Sequence, residues 1–164
     1  LARHIAPGIN RPFQFMNWPA FDRILWEKTL DQSKKEILQN GPLLFGFDRD
    51  NGAITMAKMN AARAGQSDYI HFIRQAISFL QPSTEPGWVI TNPPYGIRVS
   101  QNKDLRDLYA KFGSILKDQF IGWNLSMLSN DDKMISSMGL ENPDKVTFIN
   151  NGGIPVKLFS LYLK

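Results

Sequence analysis

Four consecutive residues of this chain, Asn92-Pro93-Pro94-Tyr95, combine hydrogen-bond acceptors with an aromatic face. The side-chain oxygen of Asn92 and the carbonyl of Pro93 can both accept hydrogen bonds from an amino group. Proline holds φ at about −65° and has no backbone N–H, so the loop is stiff and its carbonyls keep their directions. The ring of Tyr95 offers a flat face on which a base can stack, a contact that contributes about 1–3 kcal/mol. These residue types suit a site that binds and orients a planar amine.

Regular elements surround this tetrapeptide. The apolar run at 88–91 predicts a buried strand before it, and an amphipathic helix is predicted over about residues 103–117 because apolar residues recur there at helical spacing. Further strands are predicted at 43–47, 69–73, 122–128, 144–149 and 154–163, further helices at 20–39, 51–64 and 131–138, and one helical turn at 76–80. The alternation, closed by a hairpin at Asn150-Asn151-Gly152-Gly153, predicts an α/β sandwich with a mostly parallel sheet.

Composition limits the classes of function. The chain has 164 residues, 43% of them hydrophobic, which indicates one globular domain or a large part of one. It contains no cysteine, so a disulfide framework and a thiolate metal site are excluded. No apolar run is long enough for a membrane span. The net charge of +4 is compatible with a nucleic-acid partner and equally with an ordinary solvated surface. Neither His4 nor His71 has the spacing of a metal site, so no metal is predicted.

The tetrapeptide resembles the active-site loop of the amino-directed methyltransferases, which transfer a methyl group from S-adenosylmethionine to an exocyclic or amide nitrogen. Spaced matches over nearly the whole chain resemble a bacterial family, the large-subunit ribosomal RNA guanine-N2 methyltransferases, whose members are often labelled adenine-N6 DNA methylases because they share that loop. The matches are His4-Ile5-Ala6-Pro7-Gly8-Ile9-Asn10-Arg11, Phe15, Trp18-Pro19, Gly96 with Arg98, Leu105 with Leu108-Tyr109, Phe120 with Gly122-Trp123, Gly139-Leu140, Asn151-Gly152 and Leu161-Tyr162-Leu163.

The resemblance implies a Rossmann-like class I methyltransferase sheet with a closing antiparallel hairpin, a cytoplasmic location, S-adenosylmethionine as cofactor and RNA as partner. It also implies an RNA-binding THUMP domain upstream. No Gly-x-Gly occurs in the chain, so the first strand and the glycine loop of the fold are expected upstream as well. Residues 1–164 are interpreted as a single partial methyltransferase domain, with a helical and loop lead-in at 1–40 and an α/β core at 41–164.

The resemblance also assigns cofactor-binding residues. Asp48, at the end of a predicted strand, would accept hydrogen bonds from the ribose hydroxyls, as a carboxylate does there in nucleotide-binding Rossmann folds. Asp48 could instead cap the following helix, but Asp50 can do that and leave Asp48 available. Gln75 stands where the family usually has Asp to hold the adenine amino group, and its side-chain oxygen can still accept that bond. A solvated Gln75 is the alternative.

The catalytic residues implied are Asn92, Pro93, Pro94 and Tyr95, with Asn92 also expected to contact the cofactor. Ile97 departs from the family, in which an acidic residue is common at that position. Three functions compete: methylation of guanine N2 in ribosomal RNA, methylation of adenine N6 in DNA or of a guanine in tRNA, and a non-catalytic domain that binds RNA or packs against a partner. The loop alone does not separate RNA from DNA substrates.

Overall fold

The computed structural model describes residues 2–82, 85–94 and 102–164. The chain divides into two compact units, which we call the N-terminal unit (residues 1–75) and the C-terminal unit (residues 76–164). No helix within the described ranges combines the length and the apolar character that crossing a membrane requires.

The N-terminal unit contains two helices and a two-stranded parallel sheet. Asp48 and Arg74 are paired at the carboxyl end of this sheet. The sequence also predicts that residues 1–40 begin with the end of a helix, and this prediction is wrong. Residues 2–3 and 7–10 form turns, and Gly8 has a φ of 80°, which a helix does not accommodate. The elements are a 3-10 turn at Gln14–Asn17, helix α1 at Arg23–Lys35, strand β1 at Leu44–Asp48, helix α2 at Asn51–Arg63 and strand β2 at Ile70–Arg74.

Helix α2 begins and ends where the sequence predicts. The Asp50 side chain accepts a hydrogen bond from the backbone N–H of Ala53 at 2.7 Å, which satisfies one of the free donors at the helix start. Gly65 follows the helix with a φ of 63°, a left-handed conformation that stops the helix with little strain. Ile54 and Ala61 are the buried residues of this helix.

The described residues of the C-terminal unit form a four-stranded sheet and two helices. The strand order is β3-β4-β6-β5. β3 and β4 are parallel, whereas β6 is antiparallel to both β4 and β5. The predicted closing hairpin is confirmed, with Gly152 and Gly153 at φ values of 60° and 88°. The elements are a 3-10 turn at Ile77–Phe79, β3 at Trp88–Thr91, α3 at Asn102–Gln119, β4 at Asn124–Ser129, α4 at Asp132–Ser137, β5 at Lys145–Asn151 and β6 at Ile154–Tyr162.

Helix α3 supplies much of the core of the C-terminal unit. The helical spacing of the sequence predicts six residues for its apolar face, and all are buried except Leu108, which is half-buried: Leu105, Leu108, Tyr109, Phe112, Ile115 and Leu116. They pack with residues of β4, with Met138 after α4, and with Leu161 and Leu163 at the end of the chain. Gly113 allows the close approach of α4, because a Cβ there would lie 2.0 Å from the carbonyl oxygen of Met138.

The predicted α/β fold is confirmed, but the described strands form two sheets rather than one. β1 has β2 as its partner in the sheet, and β3 has β4. The four-stranded sheet is mixed rather than mostly parallel, because the two strands of the hairpin contribute both of its antiparallel pairings.

Candidate active site

The segment Asn92-Pro93-Pro94-Tyr95, which we call the acceptor loop, follows the carboxyl end of β3 in the sequence. Asn92 and Pro94 are exposed and Pro93 is half-buried. Since β3 pairs in parallel with β4, their carboxyl ends lie at the same edge of the sheet, which is where ligands bind in open α/β sheets. Tyr95, the last residue of the tetrapeptide, lies outside the described residues, as does Ile97.

A hydrogen bond joins this loop to α3. The hydroxyl of Tyr109 donates to the carbonyl of Pro94 at 3.3 Å. Tyr109 is only 1% exposed, and its ring belongs to the core of the C-terminal unit. The sequence predicted Tyr109 as an apolar residue of the helix and missed this contact. The signal was its hydroxyl, since a buried tyrosine requires a polar partner.

The carboxylate predicted to bind ribose is held by a local turn. Asp48 is exposed at the end of β1, and its Oδ1 accepts a hydrogen bond from the backbone N–H of Asp50 at 2.8 Å. Asp50 in turn caps α2, which confirms that the cap does not require Asp48. The turn orients the Asp48 carboxylate, and each carboxylate oxygen has more than one acceptor site.

Gln75 lies next to Asp48 in the N-terminal unit. Its backbone N–H donates to the carbonyl of Asp48 at 2.8 Å, one residue beyond the last pair of the parallel register, Asp48 with Arg74. Gln75 is half-buried. The Asp48 carboxylate and the Gln75 amide therefore lie at adjacent strand ends. The carboxylate can accept hydrogen bonds from hydroxyl groups, and the amide oxygen can accept one from an amine.

The structure thus groups the candidate site residues in two sets. Asp48 and Gln75 belong to the N-terminal unit, whereas Asn92, Pro93 and Pro94 belong to the C-terminal unit. The assignment of these residues to one site stays a prediction, as does the interpretation of residues 1–164 as a single domain.

Comparison with known proteins identifies the family. Residues 1–158 match the family model UPF0020, described as the RMKL-like methyltransferase domain. The chain belongs to this family. The predicted resemblance to the large-subunit ribosomal RNA methyltransferases is therefore confirmed. The predicted Rossmann-like methyltransferase fold is also confirmed, both by this match and by the solved structures that follow.

One curated relative and two solved structures illustrate what this chain is similar to. A Legionella pneumophila protein named ribosomal RNA large subunit methyltransferase K/L is 34% identical over 164 residues, which cover 99% of this chain and 23% of that protein. The crystal structure of SMU.472 complexed with SAH superposes with a TM-score of 0.91 at 28% identity, over 99% of this chain and 43% of the other. A Listeria monocytogenes structure, described as "a predicted N6-adenine-specific DNA methylase", has a TM-score of 0.85 at 27% identity, over 99% and 41% of the two chains.

Proposed function

We propose that the protein containing this chain transfers a methyl group from S-adenosylmethionine to an amino nitrogen of RNA, the exocyclic N2 of a guanine in large-subunit ribosomal RNA. The observation that carries the proposal is the acceptor loop, with Asn92 exposed at a strand end and Pro94 tied to the core through Tyr109. Membership of the RMKL-like methyltransferase family supports methyl transfer. The name of the Legionella relative supports ribosomal RNA as substrate.

The loop acts by orienting the amine. The amino group of a base is a poor nucleophile, since its lone pair is delocalised into the ring. Hydrogen bonds from its N–H groups to the Asn92 side-chain oxygen and the Pro93 carbonyl favour the positive charge that builds up on nitrogen and direct the lone pair away from these acceptors. S-adenosylmethionine, when bound, supplies the electrophilic methyl group. The amine must leave the base stack to reach the loop, so the target nucleotide is flipped or unpaired.

The residues of the N-terminal unit fit the ribose and adenine parts of the cofactor. The Asp48 carboxylate can accept from ribose hydroxyls and the Gln75 side-chain oxygen from the adenine amine. Their strand ends are adjacent, joined by the backbone hydrogen bond between Gln75 and Asp48. The SAH bound in the SMU.472 structure supports this choice of cofactor.

Calorimetry with two matched variants tests the cofactor site. Asp48→Asn keeps an oxygen for the Asp50 N–H but removes the charge that binds the ribose, so we expect affinity for S-adenosylmethionine to fall by about 10- to 100-fold. Asp50→Asn loses the same charge two residues away and keeps the cap on α2, so it is the control. Equal affinities for the two variants would remove Asp48 from the cofactor site.

Nucleoside mass spectrometry of RNA and DNA from cells that lack the gene tests the substrate. We expect N2-methylguanosine to fall in large-subunit ribosomal RNA, and to return when the gene is restored. Loss of N6-methyladenine from DNA with RNA unchanged would support the alternative that the description of the Listeria structure suggests. Loss of methylguanosine from tRNA alone would redirect the proposal to tRNA, and no change in any nucleoside would favour a non-catalytic RNA-binding role.

Two further parts of the proposal concern the whole protein. The THUMP domain that the resemblance implies would supply RNA binding beyond the residues of this chain. Methylation of ribosomal RNA would take place in the cytoplasm, and both the domain and the location stay predictions.

A further inference from the structure

Tyr109 connects the core of the C-terminal unit with the acceptor loop. Its ring is part of the buried cluster that includes Leu105, Phe112 and Met127, and its side chain and backbone together are only 1% exposed. Its hydroxyl reaches out of this cluster to the carbonyl of Pro94, which is an exposed residue. A hydroxyl on a ring that is packed on all sides is a fixed point, because protein cores are as densely packed as crystals.

The hydrogen bond constrains the loop where proline alone does not. The rings of Pro93 and Pro94 limit φ at each residue, and Pro94 also restricts ψ of Pro93, but neither ring limits ψ of Pro94. With its carbonyl bound to Tyr109, Pro94 has ψ fixed as well.

We propose that Tyr109 is a positioning residue for methyl transfer, which holds the Pro94 carbonyl so that the amine is received by the Asn92 side-chain oxygen and the Pro93 carbonyl. The inference rests on the proposed function of the loop. It assigns to Tyr109 no contact with substrate or cofactor, so its effect falls on the rate of the chemical step rather than on binding.

The test is Tyr109→Phe in the complete protein, which removes the hydroxyl and keeps the ring in the core. We expect kcat to fall by about 3- to 10-fold, because a loop whose Pro94 carbonyl is no longer held orients the amine less well for the chemical step. The KM values for S-adenosylmethionine and for RNA are expected to stay within about twofold, since no ligand contact is lost.

Tyr69→Phe is the matched control. Tyr69 also donates its hydroxyl to a backbone carbonyl, that of Gln39 at 3.1 Å, but it lies in the N-terminal unit. We expect it to lower the melting temperature no more than Tyr109→Phe does, because its hydrogen bond is the more exposed of the two, and to leave kcat unchanged. Kinetics are measured well below both melting temperatures, so that every variant is fully folded during the assay.

Each contrary result has a definite meaning. An unchanged kcat in Tyr109→Phe, an equal fall in kcat in Tyr69→Phe, or a rise in KM in place of a fall in kcat would overturn the positioning role. Asn92→Ala, assayed in parallel, separates this failure from that of the proposed function. If Asn92→Ala is inactive while Tyr109→Phe is fully active, only the inference about Tyr109 fails. If Asn92→Ala is fully active, the acceptor role of the loop fails and the inference fails with it.

Discussion

The two units hold their candidate site residues in different ways. In the C-terminal unit, the acceptor loop is tied through Tyr109 to a core of buried residues from α3, β4 and the end of the chain. In the N-terminal unit, the Asp48 side chain accepts a hydrogen bond from the backbone N–H of Asp50, and the Asp48 carbonyl accepts one from the backbone N–H of Gln75. Among the described residues of that unit, the buried hydrophobic ones are Ile54 and Ala61.

This difference matches the chemistry proposed for each unit. An acceptor that stabilises a transition state must have its position fixed to within a fraction of an ångström, and attachment to a packed core provides that precision. A residue that binds ribose, as proposed for Asp48, contributes to cofactor affinity, and affinity tolerates more movement of the side chain. Several large apolar side chains of the N-terminal unit are exposed, and Leu44, for example, has 44% of its surface exposed. This unit therefore has little hydrophobic core of its own.

Truncating one core residue in each unit gives the largest expected effect. Leu116 has no exposed surface and lies within the cluster around α3. We expect Leu116→Ala to lower the free energy of unfolding by about 3–5 kcal/mol, the range for a leucine whose cavity does not collapse. Ile54 is 6% exposed in a thinner core, and Ile54→Ala is expected to cost about 2–3 kcal/mol.

Chemical denaturation of the complete protein measures both variants. The comparison of the two cores would break down if Ile54→Ala proved as costly as Leu116→Ala, since that would mean that Ile54 is packed by parts of the protein beyond this unit.

Removing the acceptor on the loop is the next prediction. Asn92→Ala should lower kcat by about 10²- to 10³-fold, as for the loss of one positioned polar group in a transition state, with little change in stability because Asn92 is exposed. Single-turnover methyl transfer measures the chemical step directly.

Asn142→Ala provides the control for Asn92→Ala, because Asn142 is an exposed asparagine in the loop between α4 and β5. We expect full activity in Asn142→Ala and a loss of kcat of about a hundredfold in Asn92→Ala. That result would sharpen the contrast between the loop, where the defect is in catalysis, and Asp48→Asn, where the defect is expected in cofactor affinity. A defect of Asn92→Ala confined to cofactor affinity would erase that contrast.

The smallest expected effect is the loss of stability when a methyl group is added at one glycine in each unit, Gly113 and Gly46. A Cβ on Gly113 would lie 2.0 Å from the carbonyl oxygen of Met138, so α4 would have to move, and we expect Gly113→Ala to cost about 2–3 kcal/mol. A Cβ on Gly46 in β1 would lie 2.7 Å from the ring of Phe72, a side chain that can turn away, so Gly46→Ala should cost about 1 kcal/mol or less. Thermal unfolding compares the pair, and equal shifts would mean that β1 is packed as rigidly as α3.

Much of the local structure could be predicted from the sequence, because it depends on short-range patterns. The apolar face of α3, the Asp50 cap and the glycine hairpin follow from helical spacing, side-chain acceptors and left-handed turns, each within a few residues. The division into two sheets did not follow from these patterns, since strand alternation is the same whether or not two strands pair with each other.

The sequence by itself determined most of the elements of this chain, the position of Asn92 at a strand end and the family to which the chain belongs, because all three depend on residue types at fixed spacing. Only the tertiary structure decided that the hydroxyl of Tyr109 binds the carbonyl of Pro94, fifteen residues earlier in the chain. That contact depends on how α3 packs against its sheet, and helical spacing predicts which face of a helix is buried but not which loop the buried face reaches.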